Sequence, residues 1–304
     1  MKIICLMENT VGNELCRCEH GLSLYVEMEN NTFLADTGAG ELFIDNAEKL
    51  KVDLTKIDTV FLSHGHYDHG GGILDFHKIN PYAKIIMQKS ALGDYWHKSN
   101  EVEKYIGLDP GIREIKNLVL LDGDYSYYEK SFDFNLNEMK NNGCYFEKEK
   151  NNKEKIEIFH LSIGKQEELK CWPEGNLVLK EKKENQYIQD RFVHEQYLVL
   201  EERGKTVLIS GCAHNGILNI LNEYNKRYNS YPDVIISGFH MRKKNGYTEH
   251  DFEIIKETAR ELKKLGILCY TGHCTGEEPY HLMKEIMGGR LQYLHCGDRI
   301  EIES

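Results

Sequence analysis

The chain has 304 residues, with 49 acidic and 38 basic side chains and a formal net charge of −11. This length is sufficient for one large α/β domain with a sizeable core. The acidic balance argues against a nucleic-acid partner, which requires clustered lysine and arginine. The sequence contains no apolar run long enough to span a bilayer, so we expect no membrane segment.

The cysteines and the first residues indicate a cytoplasmic protein. Nine cysteines without a regular framework are typical of reduced thiols. The apolar stretch 2–7 is followed at once by Glu8, and no small-residue cleavage site comes after it. The stretch therefore predicts a first strand and not a signal peptide. Cys16 and Cys18 are too isolated to predict a metal clamp.

The first elements read as strands that lead to polar turns. Strands are predicted at 2–7, 22–27 and 32–35, and the third ends in Asp36-Thr37-Gly38. A short helix fits the apolar spacing of 41–50. A buried strand follows at 59–62.

A cluster of ligand-type side chains comes directly after that strand. Within Ser63–Gly71 lie His64, His66, Asp68 and His69, and three consecutive glycines follow them. On an extended segment His64 and His66 point to the same side, because side chains alternate with period two. Imidazole and carboxylate together suit zinc, iron or manganese, and an open coordination position is typical of a catalytic site.

The middle of the chain has a different composition. After a predicted helix from residue 73 and a strand at 84–87, residues 89–155 combine many aromatic side chains with lysine, glutamate and asparagine. We expect a single domain, 1–304, with an insertion at about 89–155. Two interpretations stay open for the insertion: a lid over the active site, or a satellite core under a long loop.

Strand, glycine-containing loop and helix then recur in the second half. The pattern predicts strands at 177–179, 193–200, 206–210, 234–236 and 267–270, and a closing hairpin from 291–294 and 299–302. A helix is expected after Asn215 as its N-cap, and another over 248–265, ended by Gly266. Thr275 and Glu278 have the spacing of a capping box.

Two loops of this half carry further ligand-type residues. His214 and His273 each lie in a glycine-bounded loop after a hydrophobic strand, and both are candidates to complete a metal site. Cys212 is a third candidate, because thiolate also binds zinc. For Cys212 the alternative is a small buried side chain. His194 has weaker support and could equally be an ordinary histidine of a strand edge.

Together these motifs resemble the metallo-β-lactamase fold superfamily. Within it, they are most similar to the metal-dependent hydrolases related to dihydropterin–ribofuranosylaminobenzene 5'-phosphate synthase. The resemblance implies an α/β fold: an αββα sandwich of two mixed β-sheets with helices on the outer faces. The motifs that carry it are Glu19-His20-Gly21-Leu22-Ser23, Asp36-Thr37-Gly38, Ser63-His64-Gly65-His66-Tyr67-Asp68-His69-Gly70-Gly71, Gly211-Cys212-Ala213-His214-Asn215-Gly216, Gly238-Phe239-His240 and Thr271-Gly272-His273-Cys274-Thr275-Gly276.

The resemblance also implies roles for individual residues. His64 and His66 would hold one metal, Asp68 and His69 a second, and His273 would be the last ligand of the set. Asp36 would support the metal loop by hydrogen bonds. The superfamily usually has a bridging aspartate in the loop where this chain has Cys212 and His214. Either residue could replace that aspartate, and we favour His214. His194 lies near the position of the remaining histidine ligand.

Three functions are compatible with these residues. The first is a metal-dependent hydrolase that uses metal-activated water on a small phosphorylated or pyrophosphorylated substrate, with one or two zinc ions, or else manganese or iron. Asp68 would take part in catalysis, and His240 would contact the phosphate or the leaving group. The second is a synthase that condenses a dihydropterin pyrophosphate with an aminobenzene ribofuranosyl phosphate. The third is a non-catalytic metal-binding protein or a di-iron redox protein. The sequence does not predict the oligomeric state.

Overall fold

The structure is a computed structural model that describes residues 1–128, 154–161, 171–243 and 246–303. Its strands, in chain order, are β1 (Lys2–Met7), β2 (Ser23–Glu27), β3 (Thr32–Ala35), β4 (Thr59–Phe61), β5 (Lys84–Gln88), β6 (Tyr95–Lys98), β7 (Glu103–Tyr105), β8 (Leu118–Leu121), β9 (Tyr125–Tyr128), β10 (Glu154–His160), β11 (Leu179–Lys183), β12 (Gln186–Gln189), β13 (Gln196–Glu202), β14 (Lys205–Ile209), β15 (Val234–Ile236), β16 (Leu268–Thr271), β17 (Leu291–Tyr293) and β18 (Arg299–Glu301). Its α-helices are α1 (Leu42–Lys49), α2 (Tyr67–Gly70), α3 (Ile73–Ile79), α4 (Ile217–Tyr228), α5 (Glu249–Leu265) and α6 (Glu277–Met287).

The strands form two large mixed sheets and one small one. The first sheet has the order β18-β1-β2-β3-β4-β5-β8, parallel from β3 to β8 and antiparallel elsewhere. The second has the order β17-β16-β15-β14-β13-β10-β9, parallel from β17 to β14. An antiparallel sheet of β12-β11-β6-β7 lies apart from both.

Alternating side chains divide the core into layers. On β1, Ile3 and Cys5 face the buried cluster shared by the two large sheets, whereas Ile4 and Leu6 pack under α1 and α3. The helices α4, α5 and α6 cover the outer face of the second sheet. This is the expected αββα sandwich, and it follows from the period-two pattern of strands that are buried on both faces.

The polar motifs follow the carboxyl ends of parallel strands in both large sheets. Asp36 follows β3, and the loop of His64 follows β4. In the second sheet, the loops of His214, His240 and His273 follow β14, β15 and β16. In sheets with parallel strands, ligands bind at the carboxyl ends of the strands, so this arrangement positions a site there.

Several local expectations prove wrong. The predicted closing hairpin is two strands in different sheets, since β17 pairs with β16 and β18 pairs with β1. Residues 174–178 form a 3-10 helix, and the strand after His194 begins only at Gln196.

Two predicted helix caps are also wrong. The helix α4 begins after Gly216, which has a φ of +84°. Asn215 is not its N-cap, and the Asn215 side-chain amide instead donates a hydrogen bond to Glu195. The helix α6 begins after Gly276 without a side-chain cap. The Thr275 hydroxyl instead accepts a hydrogen bond from the backbone of Phe239.

The predicted insertion divides into several parts. Residues 129–153 lie outside the described residues. Of the rest, β8, β9 and the start of β10 belong to the large sheets, and β6 and β7 belong to the small sheet. Tyr95 of β6 packs with Phe192 and Leu179 in a separate cluster, and both interpretations of the insertion, a lid and a satellite core, stay predictions.

Candidate metal centre

The loop after β4 carries the densest group of ligand-type side chains. It passes so close to other backbone that two of its positions require glycine. A Cβ on Gly65 would overlap the carbonyl of Ala91, and a Cβ on Gly71 would overlap that of Ala39. The loop is therefore held rigidly between neighbouring segments, and its histidines are fixed with it.

Three imidazoles from two loops form the first subsite, which comprises His64, His66 and His214. The ring centroids of His64 and His66 are 4.6 Å apart, and each lies 4.9 Å from the ring of His214. All three side chains are buried. Their Nε2 atoms are buried as well and have no hydrogen-bond partner among the described residues. Such a group of unpaired polar atoms is costly unless a cation binds them.

The hydrogen bonds on the other ring nitrogens fix the tautomers. The Ser63 hydroxyl donates to Asp36 Oδ2 (2.8 Å), so it accepts from Nδ1–H of His64 (2.8 Å). Asn176 donates its amide N–H to the backbone oxygen of His214 (2.7 Å) and accepts Nδ1–H of the same residue at Oδ1 (2.8 Å). Both Nε2 atoms therefore present a lone pair, which is the form that binds a metal ion.

The second subsite comprises Asp68, His69 and His273. His69 Nε2 lies 3.1 Å from His273 Nε2, and Asp68 Oδ2 lies 3.4 Å from His273 Nε2 and 3.9 Å from His69 Nε2. His69 donates Nδ1–H to Asp36 Oδ2 (2.6 Å), and His273 donates Nδ1–H to Asn9 Oδ1 (3.0 Å). Burial would lower the pKa of His69, but Asp36 and Asp68 outweigh it and raise that pKa. Once both rings are neutral, two lone pairs face each other across 3.1 Å, an arrangement that a shared cation stabilises.

Cys212 lies between the two subsites. Its Sγ is 3.2 Å from His69 Nε2. It also lies within 4.8 Å of the ligand atoms of His64 and His214 on one side and of His273 on the other. Cys212 is thus close to ligand atoms of both subsites, whereas His214 lies with the first; which of the two residues replaces the bridging aspartate stays a prediction.

Burial keeps the imidazoles of the first subsite neutral. Desolvation, with smaller contributions from neighbouring imidazoles, lowers the pKa of His64 and His214 well below the usual range and lowers the pKa of His66 to about 3. Burial would raise the pKa of Asp68, but His69, His20 and His273 outweigh it and hold that pKa well below its usual value. Neutral imidazoles beside an ionised carboxylate form a donor set that favours a cation.

Asp36 hydrogen-bonds to residues of both subsites. One of its oxygens accepts hydrogen bonds from the Ser63 hydroxyl and from His69, and the other accepts from the backbone N–H of Ser63 (2.7 Å). Asp36 has a φ of +63°. One buried carboxylate thus orients an imidazole of each subsite.

Two further buried carboxylates, those of Glu195 and Glu8, hold the loops of His214 and His273. The sequence did not predict this role for either of them. Glu195 accepts the backbone N–H of His214 (2.6 Å) and of Asn215 (3.0 Å). Glu8 accepts the backbone N–H of His273. The only sequence signal for them was an acidic residue directly beside an apolar strand.

His194 does not join either subsite. Its Nδ1 accepts the backbone N–H of Gly65 (3.0 Å), so its Nε2–H donates to Asp190 Oδ2 (3.1 Å). With both ring nitrogens occupied, no lone pair remains for a metal. In this tautomer His194 holds the backbone of Gly65 between His64 and His66. Its ligand atom also lies within 4.8 Å of those of His66 and Asp190, and its place among the metal ligands stays a prediction.

His240 lies beside the first subsite. Its ring centroid is 4.2 Å from that of His214, and its backbone N–H contacts Cys274 Sγ at 3.3 Å. Its Nδ1 is buried and has no partner among the described residues. His240 is therefore close enough to the imidazole cluster to act on a group bound there.

Aromatic rings close one side of the first subsite. Phe192 stacks on His214 with parallel planes and a centroid distance of 4.4 Å, and Tyr95 lies 6.0 Å from His66. Both aromatic side chains are almost fully buried. They exclude water from that side, so the cavity opens elsewhere.

The opening is marked by His20, a residue of the Glu19–Ser23 motif to which the sequence gave no individual role. Its side chain is 47% exposed, and its Nε2 lies 3.2 Å from Asp68 Oδ2. Its ring stacks on that of His273 at 4.8 Å.

Comparison with known proteins identifies relatives of the whole chain. Residues 16–136 match the model of the metallo-beta-lactamase superfamily. The chain is 26% identical over 325 residues to 7,8-dihydropterin-6-methyl-4-(beta-D-ribofuranosyl)-aminobenzene-5'-phosphate synthase of Methanocaldococcus jannaschii, with 99% of this chain and 96% of that protein covered. It is 27% identical over 239 residues to an uncharacterized protein of the same organism, with 78% of each chain covered.

Solved structures show the same fold. The crystal structure of Tm1679, a metal-dependent hydrolase of the beta-lactamase superfamily, superposes with a TM-score of 0.75 at 24% identity and covers 100% of both chains. The metallo-beta-lactamase fold protein YhfI from Bacillus subtilis gives a TM-score of 0.52 at 12% identity and covers 98% of both chains. Within the residues that the structure describes, each helix is too short or too polar to cross a membrane.

Proposed function

Since this chain has the metallo-β-lactamase fold and is related to the dihydropterin–ribofuranosylaminobenzene phosphate synthase, we propose that it is a metal-dependent hydrolase with a two-metal centre. Its substrate is a small phosphorylated or pyrophosphorylated molecule. The observation that carries the proposal is the cluster of buried imidazoles His64, His66 and His214, whose Nε2 atoms have no hydrogen-bond partner among the described residues.

The donor set defines how the metals are held. In this proposal His64, His66 and His214 hold one ion, and Asp68, His69 and His273 hold the other. Cys212 is shared, because its Sγ lies within 4.8 Å of ligand atoms of His64 and His214 and of those of His69 and His273. Imidazole with one thiolate and one carboxylate favours zinc, while iron or manganese also fits the nitrogen and oxygen donors. A metal ion in such a set acts as a Lewis acid and lowers the pKa of a bound water from about 15.7 towards 7.

The chain's own residues orient the imidazoles, exclude water from one side of them and place a polar group near the substrate. Asp36 and Asn176 hold the imidazoles in the required tautomer. Phe192 and Tyr95 keep solvent from one side of the cavity, which strengthens electrostatic interactions inside it. His240 lies at a position from which it can hold a proton near the leaving group.

A phosphorylated substrate is supported by a basic residue at the rim. Arg242 lies against Gly276, and its backbone N–H donates to the carbonyl oxygen of Cys274 (2.9 Å). The backbone and the first side-chain carbons of the exposed Arg242 are therefore held next to the loop of His273. Guanidinium and metal ions together favour an anionic substrate, even in a chain of net charge −11.

A cytoplasmic location is supported by the thiols. All eight cysteines within the described ranges are free. A reducing compartment keeps such thiols available.

The experiment measures metal content and turnover together. We expect one to two metal ions per chain and hydrolysis of at least one member of a panel of phosphomonoesters, phosphodiesters, pyrophosphates and lactones. His66→Ala and Asp68→Asn should lose at least 100-fold of this turnover (about 2.7 kcal/mol) while they stay folded. His281→Ala, an exposed substitution on α6, is the control. A folded His66→Ala protein with full turnover would contradict the proposal.

Synthase activity is the second candidate, favoured by the relative that matches 99% of this chain. In that reaction an aminobenzene riboside phosphate, not water, would displace pyrophosphate from a dihydropterin. Incubation with the pterin pyrophosphate, with and without the aminobenzene partner, separates the two. A condensed product that forms only with the partner present supports the synthase, and pyrophosphate release without it supports the hydrolase.

A further inference from the structure

We propose that His20 is an additional, exchangeable metal ligand of the second subsite, which binds through Nε2 the divalent transition-metal ion held by Asp68 and His273. The inference rests on the proposed two-metal centre and deepens it. It assigns to the cavity opening a protein ligand that an oxygen of the substrate would displace.

The distances around Asp68 match those between ligands of one ion. Two donors at about 2.1 Å from a metal, separated by 90–110°, lie roughly 3.0–3.4 Å from each other. Asp68 Oδ2 is 3.4 Å from His273 Nε2 and 3.2 Å from His20 Nε2. His20 is thus as close to the metal-facing oxygen as the buried histidine of the same subsite.

The backbone positions His20 through the ligands themselves. The N–H of Leu22 donates to the carbonyl oxygen of Asp68 (3.1 Å). The N–H of Gly21 donates to Asn9 Oδ1 (3.4 Å), the same oxygen that accepts Nδ1–H of His273. A Cβ on Gly21 would lie 2.8 Å from the Asp68 carbonyl oxygen. The segment is therefore built against both ligands, and its place there is not a chance contact of a surface side chain.

Exposure separates His20 from the other donors. Its side chain is 47% exposed, whereas the side chains of Asp68 and His273 are 12% and 1% exposed. The buried ligands cannot leave the ion without opening the core. His20 can rotate into solvent at little cost, because among the described residues its ring is held by stacking on His273 and by its contact with Asp68.

The competing explanation is that His20 only donates a hydrogen bond to Asp68. Glutamine separates the two, because its side-chain amide can donate to a carboxylate but is a poor ligand for cobalt or zinc. The test therefore compares His20→Ala, His20→Gln and the control His281→Ala.

Metal-free protein is loaded with Co²⁺, and the visible spectrum and the loss of each ion to a chelator are recorded. We expect the native chain to bind two ions, and we expect His281→Ala to bind each of them as tightly as the native chain does. In His20→Ala one of the two ions should be lost at roughly 10-fold lower chelator concentration, with a change in the cobalt absorption band. His20→Gln should behave like the alanine variant. Free imidazole, which fits the vacated exposed position, should restore the band in His20→Ala.

Two outcomes would overturn the inference. If His20→Ala binds both ions as tightly as the native protein does, His20 is not a metal ligand. Native affinity and spectrum in His20→Gln would reduce its role to a hydrogen bond. If the native chain itself binds no cobalt, the two-metal centre fails first, and that result is distinct from either of these.

Discussion

At His214, a single amide side chain performs two tasks. Asn176 donates to the backbone oxygen of His214 and accepts its ring N–H, so the orientation of the amide and the tautomer of the imidazole are fixed together. Asn176 is fully buried. No water competes for these hydrogen bonds, which makes the imidazole a pre-oriented ligand.

Removing this acceptor should weaken the first subsite. We expect Asn176→Ala to lower the affinity of one metal ion by about 10-fold, because the ring of His214 loses its orienting partner. Competition with a chelator measures the change.

Asn176→Asp is the matched control. It keeps an oxygen acceptor for the ring N–H but loses the donor to the backbone oxygen of His214, so it should recover part of the affinity that the alanine variant loses. If the alanine variant bound both ions as tightly as the native chain, Asn176 would have no part in holding the metal.

Ligands were easier to predict from the sequence than the residues that orient them. His64, His66, Asp68 and His69 lie within six positions, so their motif is local. Asn9 and Glu8 orient His273 across more than 260 residues, and no spacing in the sequence reveals such a pair. The sequence also could not predict the tautomer of His194, which carries its proton on Nε2, whereas His64 and His214 carry theirs on Nδ1. That tautomer depends on the backbone N–H of Gly65, 129 positions away.

Among the elements, α5 shows how closely a helix can follow its sequence signals. It begins after Thr248, whose hydroxyl accepts the backbone N–H of Asp251 (3.2 Å), and Asp251 accepts the N–H of Thr248 in return (2.8 Å). It ends at Gly266, with a φ of +71°. Both signals are local. The wrong caps at α4 and α6 arose because the Asn215 and Thr275 side chains are taken by tertiary contacts.

Loss of the cap should destabilise the fold. Thr248→Ala is expected to lower the free energy of unfolding by about 1 kcal/mol, because the Thr248 hydroxyl no longer accepts the backbone N–H of Asp251 or donates to the Asp251 carboxylate. Denaturant unfolding measures it, and Glu257→Ala on the exposed face of α5 is the control. Equal destabilisation by both substitutions would show that the capping box contributes nothing beyond helix propensity.

The same cap predicts a pH dependence. Burial would raise the pKa of Asp251, but hydrogen bonds from Lys243 and Thr248 outweigh it and lower that pKa from 3.8 to about 2. The folded state thus favours the ionised form, so this stabilisation is complete above about pH 4 and is lost as the pH falls through 2. Asp251→Asn should therefore be less stable than the native chain at neutral pH, and the difference should shrink near pH 2. A difference that stays constant across that range would contradict this account.

At the scale of the whole molecule, the donors are divided between the two large sheets. Loops after the first sheet supply His64, His66, Asp68 and His69, and loops after the second supply Cys212, His214 and His273. Ions bound in the cavity would join the two sheets at the ends of their strands. The layered fold itself was predictable, because strand alternation and the motif resemblance are properties of the sequence. The pairing of β17 and β18 with different sheets was not, since it depends on partners far along the chain.

This division predicts a metal-dependent melting temperature. At a free metal concentration 100-fold above Kd, binding to the folded state adds about 2.7 kcal/mol, so removal by a chelator should lower Tm by several degrees. Scanning calorimetry with and without metal measures the shift. His273→Ala should reduce it, because one subsite then lacks its ligand from the second sheet. An identical Tm for the loaded and stripped native chain would show that the ions do not couple the sheets.

The division of donors also sets an order of events during biosynthesis. A nascent chain that has emerged from the ribosome only as far as Gly70 carries the proposed donors His64, His66, Asp68 and His69, and the additional ligand proposed at His20, but none of those from the second sheet. Cys212 and His214 appear about 140 residues later in the sequence, and His273 follows only after α5 has been made. Complete metal loading is therefore a late step of maturation, which must wait until translation has passed β16.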